Sequence, residues 1–244
     1  MNMGGSETLL INIYRHIDRE KYQFIFMENV PEKTYYTDEI EQLGGKIVKA
    51  PVFSARNTYS YYKFLVKYFR NNNTEIVHAH TYLHSWIVLA AAKKAGVKKR
   101  IAHAHSAMPE YNNGSRLKWN LLKKLLMHYA TDLIACSEAA RDDLFRGSTD
   151  ALIIKNPVDL SRFSTIDKQT LSKLRKECSI SNNDLVIGHI GRMSPPKNSL
   201  FICEIARILK ARGVHFKLLG LETVSFVVRL NNISKNTVLK TRSS

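Results

Sequence analysis

Short apolar runs alternate with longer amphipathic segments along most of this chain, and no other feature limits its fold as strongly. The runs YQFIFM (Tyr22 to Met27), Lys46 to Val52, EIVHAH (Glu75 to His80), RIAHAH (Arg100 to His105), DLIACS (Asp132 to Ser137) and ALIIKN (Ala151 to Asn156) read as strands. Between them, 36–43, 58–69, 85–95, about 117–129 and 138–145 carry helical periodicity, with glycine stops at Gly44, Gly45 and Gly96. An earlier helix places Leu9, Leu10, Ile13 and Ile17 on one face, with Ser6 as its expected cap. Strands alternating with helices predict an α/β fold whose parallel sheet is covered on both faces. The alternation breaks at Asn156-Pro157 and resumes with strand 185–190, helix 199–212 and strand 215–220.

The organisation expected from this pattern is a first domain over residues 1–160, a connector over 161–183 and the start of a second domain over 184–220. An aberrant tail follows over 221–244, polar except for one β-branched run at Val224 to Leu230. One strand–helix–strand unit is too small to bury a stable core alone.

Lys and Arg number 37 against 21 Asp and Glu, a net charge of +16. Such a balance favours phosphorylated ligands, anionic membrane or nucleic acid. No finger, helix-turn-helix or aromatic-basic RNA signature accompanies it, so nucleic acid is not the expected partner. The three cysteines, Cys136, Cys178 and Cys203, are far apart and suggest neither disulfides nor a cysteine-based zinc site. The sequence has no apolar run of about 18 residues and opens without a signal-peptide layout. A cytoplasmic setting, in contact with the inner face of the membrane, is the expectation.

Three stretches carry chemistry. IGHIGRMSPPKN (Ile187 to Asn198) reads as a strand feeding a short loop that opens a helix. It gathers backbone N–H groups and the cations Arg192 and Lys197 at one spot, as phosphate binding requires. A solvated basic turn is the alternative. The histidines are concentrated: His78 and His80 end one strand, His103 and His105 end another, and His84 lies close by. Ligands of open α/β sheets bind beyond the carboxyl ends of strands. Sugar or phosphate contact, satisfied structural histidines and a metal site all remain open. The metal reading suffers from the lack of an adjacent carboxylate or cysteine. From strand alternation, one histidine of each pair is expected to face the cleft. The MGGSE stretch can let a ligand approach the backbone at Gly4 and Gly5. Finally, Lys118, Lys123 and Lys124 among the leucines of 117–129 fit either a membrane-surface helix or a sheet-covering helix with a basic face. Ser137 and Ser106 lack a G-x-S-x-G elbow, which argues against a serine hydrolase.

In order along the chain stand MGGSETLL, DREKYQF, EIEQLGGKIVKAP, EIVHAH, AAKKAGVKKRIAHAHS, ATDLIACSEAA, IIKNPVD followed by Phe163, and VIGHIGRMSPPKN. This ordered set resembles the retaining GT-B glycosyltransferases of family 4, especially bacterial exopolysaccharide and capsule enzymes, over about residues 1–220. The resemblance implies two Rossmann-like halves, the second incomplete here. It implies a nucleoside-diphosphate-sugar donor held mainly by the second half and a polysaccharide or lipid-linked acceptor on the first. It implies His105 as the cleft histidine that contacts the transferred sugar, with His103 second and His80 and Asn156 as further cleft candidates. It implies Arg192 and Lys197 as the grip on the donor diphosphate, Gly4 and Gly5 as the Gly-rich loop, and no cofactor or metal. Two cations and helix-end amides then stabilise the leaving diphosphate.

The chain also departs from that pattern. The strand expected before the Gly-Gly loop is missing, and Glu222 is the last acidic residue, so the family's downstream Glu-x7-Glu motif does not occur. The expectation is a chain truncated at both ends and impaired in transfer. The alternative is a non-catalytic module, derived from such an enzyme, that docks on anionic membrane or a partner protein.

Overall fold

A computed structural model of the chain describes residues 4–107, 116–160, 167–191, 197–222 and 226–229. The chain divides between Asp159 and Leu160 into two compact units.

The first unit runs α1 (Gly5–His16), β1 (Ile25–Glu28), α2 (Thr37–Gln42), β2 (Lys46–Lys49), α3 (Thr58–Asn71), β3 (Ile76–Ala79), a 3-10 turn (Tyr82–His84), α4 (Ser85–Ala95), β4 (Lys99–Ala104), α5 (Arg116–Tyr129), β5 (Asp132–Ala135), α6 (Glu138–Phe145) and β6 (Leu152–Ile153). All strand pairs here are parallel, as the alternation predicts. The sheet, however, is not continuous. Strands β1 and β2 form one sheet, and β3-β4-β5-β6 form another in that order. Among the described residues no ladder joins β1 to β3, and each leaves one edge without a strand partner.

The cores follow the same division. The larger one gathers Leu65 and Phe69 of α3, Ile87, Leu89, Ala91 and Ala92 of α4, and Leu144 and Phe145 of α6 around the alanines of the four-stranded sheet. Ala79, Ala102, Ala104 and Ala135 are all buried. Their small size lets the Ala-rich α4 lie close on the sheet, so backbone approach replaces large side chains. The smaller core holds Ile11, Tyr14, Phe26, Tyr36 and Ile40. Tyr14 stacks on Phe24 at 5.1 Å and meets Phe26 edge-on at 5.3 Å. This changes the reading of α1. Leu9, Ile11, Asn12 and Tyr14 are its buried residues and Ile13 is exposed, because the aromatic ring of Tyr14 is the side chain that reaches β1.

Ser6 does not cap α1. The N-cap is Gly4, and the Ser6 hydroxyl donates instead to Glu7 Oε2 at 2.7 Å. Gly44 stops α2 with φ +81°. Gly45 is needed for space: a Cβ there would sit 2.8 Å from Ile40 Cγ2, 3.0 Å from Tyr14 Cε1 and 3.1 Å from the Ile40 carbonyl. Overpacking of that kind costs about 1–3 kcal/mol. Gly45→Ala is therefore expected to lower stability by that amount, read as a fall in the urea midpoint, and an unchanged midpoint would contradict the close packing of α1 on α2.

The second unit contains α7 (Lys168–Glu177), β7 (Leu185–Ile190), α8 (Ser199–Ala211), β8 (Phe216–Glu222) and β9 (Phe226–Arg229). Strands β7 and β8 pair in parallel, and β9 adds to β8 antiparallel. The β-branched run in the expected tail thus carries a strand, and β8 extends two residues past the expected boundary at 220. This unit buries little: Leu171, Leu174, Ile190, Leu200 and Phe201 are all exposed. One parallel pair with one crossover helix offers too few facing surfaces to cover them.

Candidate functional site

The chemistry converges at the C-terminal ends of β3 and β4. Val77 and Ala79 of β3, with Ala102 and Ala104 of β4, point into the core. The alternate positions His78, His80, His103 and His105 therefore share the opposite face. Side chains two residues apart on a strand lie on the same side, so the expectation that one histidine of each pair faces the cleft is wrong. All four rings come together. His78 and His80 have centroids 4.1 Å apart, as do His103 and His105. Across the strands His78 stacks on His103 at 5.2 Å and His80 on His105 at 5.0 Å. The register makes this possible. His78 lies opposite Ile101 and Ala79 opposite Ala102, which brings His80 abreast of His103 and lets each β3 ring reach the β4 ring one step further on.

Two nitrogen–nitrogen contacts tie the cluster, His78 Nε2 to His103 Nδ1 at 3.2 Å and His80 Nδ1 to His105 Nε2 at 2.7 Å. The rings are held neutral. Burial first, then neighbouring His105, pushes His78 down to about 4. Burial, then His105 and His78, pushes His103 down to about 3. His80 falls well below its ordinary value through burial and the three other rings. For His105 burial lowers the pKa, and the Glu7 carboxylate at the start of α1 opposes it.

A neutral imidazole has one N–H and one lone pair. In the His80–His105 pair two N–H groups share one hydrogen bond. Whichever ring donates, the second N–H falls on His80 Nε2 or His105 Nδ1. Both are buried and without a hydrogen-bond partner among the described residues, as is His103 Nε2. An unsatisfied buried polar group costs about 1–3 kcal/mol. The chain holds these nitrogens available, and either a ligand's hydroxyls or a metal ion can use them.

Of the other predicted residues, Gly4 and Gly5 form the N-terminal start of α1. Neither has positive φ. Space beside Gly5 is open, and a Cβ on Gly4 would meet only the movable Glu7 carboxylate. Small size, not backbone conformation, is what they offer. Asn156 is exposed after β6 and takes no part in the ring contacts. Lys197 lies before α8 with its stem 3.5 Å from where a Cβ on Gly191 would be, and Gly191 has φ +152°. Arg192 lies outside the described residues. Ser137 is a helix cap whose Oγ accepts from the Ala140 amide at 3.2 Å.

One support was missed in the sequence. Tyr82, just past the end of β3 and at φ +51°, donates its hydroxyl to Asp143 Oδ2 at 2.6 Å. Lys123 Nζ donates to Asp143 Oδ1 at 2.7 Å. No spacing rule links positions 82, 123 and 143; the packing of α5 on α6 does. Lys123 is therefore turned inward, while Trp119, Leu122 and Met127 pack on the core. Helix α5 covers the sheet and presents Leu117, Lys118, Leu121 and Lys124 outward. Among the described residues no helix is long and apolar enough to cross a membrane.

Comparison with known proteins fits this architecture. A candidate glycosyltransferase of Bacillus subtilis (strain 168), EpsF, is 32% identical over 225 residues, which is 89% of this chain and 58% of EpsF. The capsular polysaccharide biosynthesis glycosyltransferase CapH of Staphylococcus aureus is 23% identical over 213 residues, 86% of this chain and 56% of CapH. The chain thus spans somewhat over half the length of these relatives. Among solved structures, Anabaena Alr3699/HepE in complex with UDP superposes with a TM-score of 0.63 at 18% identity, over 89% of this chain and 66% of that one. That likeness concerns the fold, which is α/β with parallel sheets and GT-B-like. Residues 3–162 match the family described as Glycosyltransferase Family 4. With two thirds of its length inside that match, the chain belongs to glycosyltransferase family 4.

Proposed function

We propose that this chain is a glycosyltransferase module that takes a sugar from a nucleoside-diphosphate donor, with retention, to a polysaccharide or lipid-linked acceptor. The observation that carries this reading is the clustering of His78, His80, His103 and His105 on one face at the C-terminal ends of β3 and β4, where open α/β sheets bind their ligands. There the neutral His105 contacts the transferred sugar. Arg192 and Lys197 are assigned to the diphosphate on the resemblance, and of the two Lys197 stands just before α8. HepE was crystallised with UDP, which supports a nucleoside diphosphate as the ligand class.

Lys197 is exposed, so its replacement leaves the fold intact. Lys197→Ala is expected to weaken UDP binding by calorimetry about tenfold or more, the value of one charge-assisted contact. Equal affinity for both proteins would remove Lys197 from the donor site. Transfer by the 244-residue chain is expected to be slow. The divided sheet of the first unit and the exposed apolar surface of the second support impairment. The measurement is sugar transfer from UDP- and GDP-sugars to a lipid-linked acceptor. Robust turnover would overturn impairment while leaving the donor assignment standing.

The outward stripe of α5 favours a second reading, a module docked at the inner membrane face. Leu117 and Leu121 are exposed beside Lys118 and Lys124. Apolar and cationic side chains on one face suit an anionic bilayer surface. Flotation with anionic vesicles at low salt checks this, and failure to float counts against docking.

A further inference from the structure

We infer that the imidazoles of His78, His80 and His103 form a binding site for a divalent transition-metal ion of the zinc type. One nitrogen from each of these three residues lies within 4.8 Å of the other two. The closest pair, His78 Nε2 and His103 Nδ1, are 3.2 Å apart. Two imidazole nitrogens at about 2.0–2.1 Å from a tetrahedral ion are separated by ~3.3 Å, so this pair already stands at a coordination edge. The third nitrogen comes from His80, whose ring is tilted 39° to that of His78 with centroids 4.1 Å apart. The ligands sit at the ends of two hydrogen-bonded parallel strands, which fixes their spacing better than a loop does.

The surroundings complete the argument. His105 holds His80 Nδ1 at 2.7 Å and orients that ring, as outer-shell partners of metal-bound imidazoles do. The Glu7 carboxylate acts on the His105 side of the cluster, the sign of charge a cation needs nearby. The three nitrogens lie within 4.8 Å of one another, a span one ion can bridge. An ion takes up His80 Nε2, which has no hydrogen-bond partner among the described residues, and replaces the contact between His78 Nε2 and His103 Nδ1. Imidazole donors suit zinc, copper, nickel or cobalt rather than magnesium or calcium. This site does not depend on the transferase reading: it is occupied or not whatever the chain does to sugars, and His105 stays outside the ligand set.

The test uses the full chain, stripped with chelator and desalted, and titrated with Zn²⁺ by calorimetry and with Co²⁺ by visible absorption. The expected result is one equivalent bound, with the intense d–d bands of a low-coordinate Co²⁺ site. His78 is exposed at the edge of the cluster, so His78→Gln keeps the fold and is expected to weaken Zn²⁺ binding about tenfold or more. His128→Gln, on exposed α5 surface away from the cluster, is expected to leave it unchanged. Absence of stoichiometric binding overturns the site, and so does affinity that is the same in His78→Gln and the parent. A measurement on the unmutated chain stands independently: Zn²⁺ is expected to protect the exposed His78 from diethylpyrocarbonate, and modification of His78 at the same rate with and without Zn²⁺ overturns the proposal.

Discussion

Phe145→Ala is expected to destabilise the first unit by about 3–5 kcal/mol, the cost of deleting a buried aromatic ring when its surroundings only partly collapse. Phe145 closes α6 with no exposed surface and belongs to the core built on the four-stranded sheet. That core consists largely of alanines and tightly packed helices, which cannot swing inward to refill the space. Typical domains have only about 5–15 kcal/mol of stability, so the loss is a large share of the whole. Urea denaturation followed by circular dichroism reads it as a drop in midpoint. Phe201→Ala on α8 is the contrast. That ring is 56% exposed, and its loss should change stability by no more than about 0.5 kcal/mol. A Phe145→Ala loss under ~1 kcal/mol would show that the ring does not fill a rigid core.

Acid is expected to weaken the fold in the window just below pH 6.5, with buried imidazoles as a cause. Burial lowers His103 to about 3 and His78 to about 4, and pushes His80 down as well. The folded state therefore holds these rings neutral while the unfolded chain protonates them near their ordinary value. Between the two pKa values the unfolded state binds more protons, so stability falls as pH falls. Above pH 6.5 both states are neutral and the histidines make no contribution to the slope. Each ring steepens the dependence by ~1.4 kcal/mol per pH unit inside its window. Urea midpoints at pH 7, 6, 5 and 4.5, measured with chelator present, test this. His103→Gln should flatten the profile by about one proton. A parent profile that is flat from pH 7 to pH 5 would show that the rings titrate normally.

Some elements were legible from local pattern. Helices 85–95 and 138–145 and strand 185–190 stand where periodicity puts them, because their apolar spacing and glycine stops are local properties. Strands were overextended: YQFIFM contributes only Ile25 to Met27 to β1, which runs on to Glu28, and ALIIKN only Leu152–Ile153. An apolar run marks what wants burial, but a strand ends where its partner's hydrogen bonds end. The site was half legible. The four histidines were found from their position at strand ends, but the two-residue spacing that puts both members of a pair on one face was read as splitting them between faces. Lys123 was misread as part of a solvated basic face, since its partner Asp143 is 20 positions away on another helix.

The sequence by itself determined the α/β class, the break after Asn156 and membership of the family, because each rests on residue order alone. Only the tertiary structure decided that the first unit's strands form two sheets, since continuity depends on which edges pair. It also decided that His78, His80, His103 and His105 act as one group. The register of β3 on β4 sets that, and no spacing within either strand contains it. Gathered on one face, His78, His80 and His103 are pushed below the usual histidine range, and the group leaves three buried nitrogens unmatched among the described residues, a state none of them would have alone.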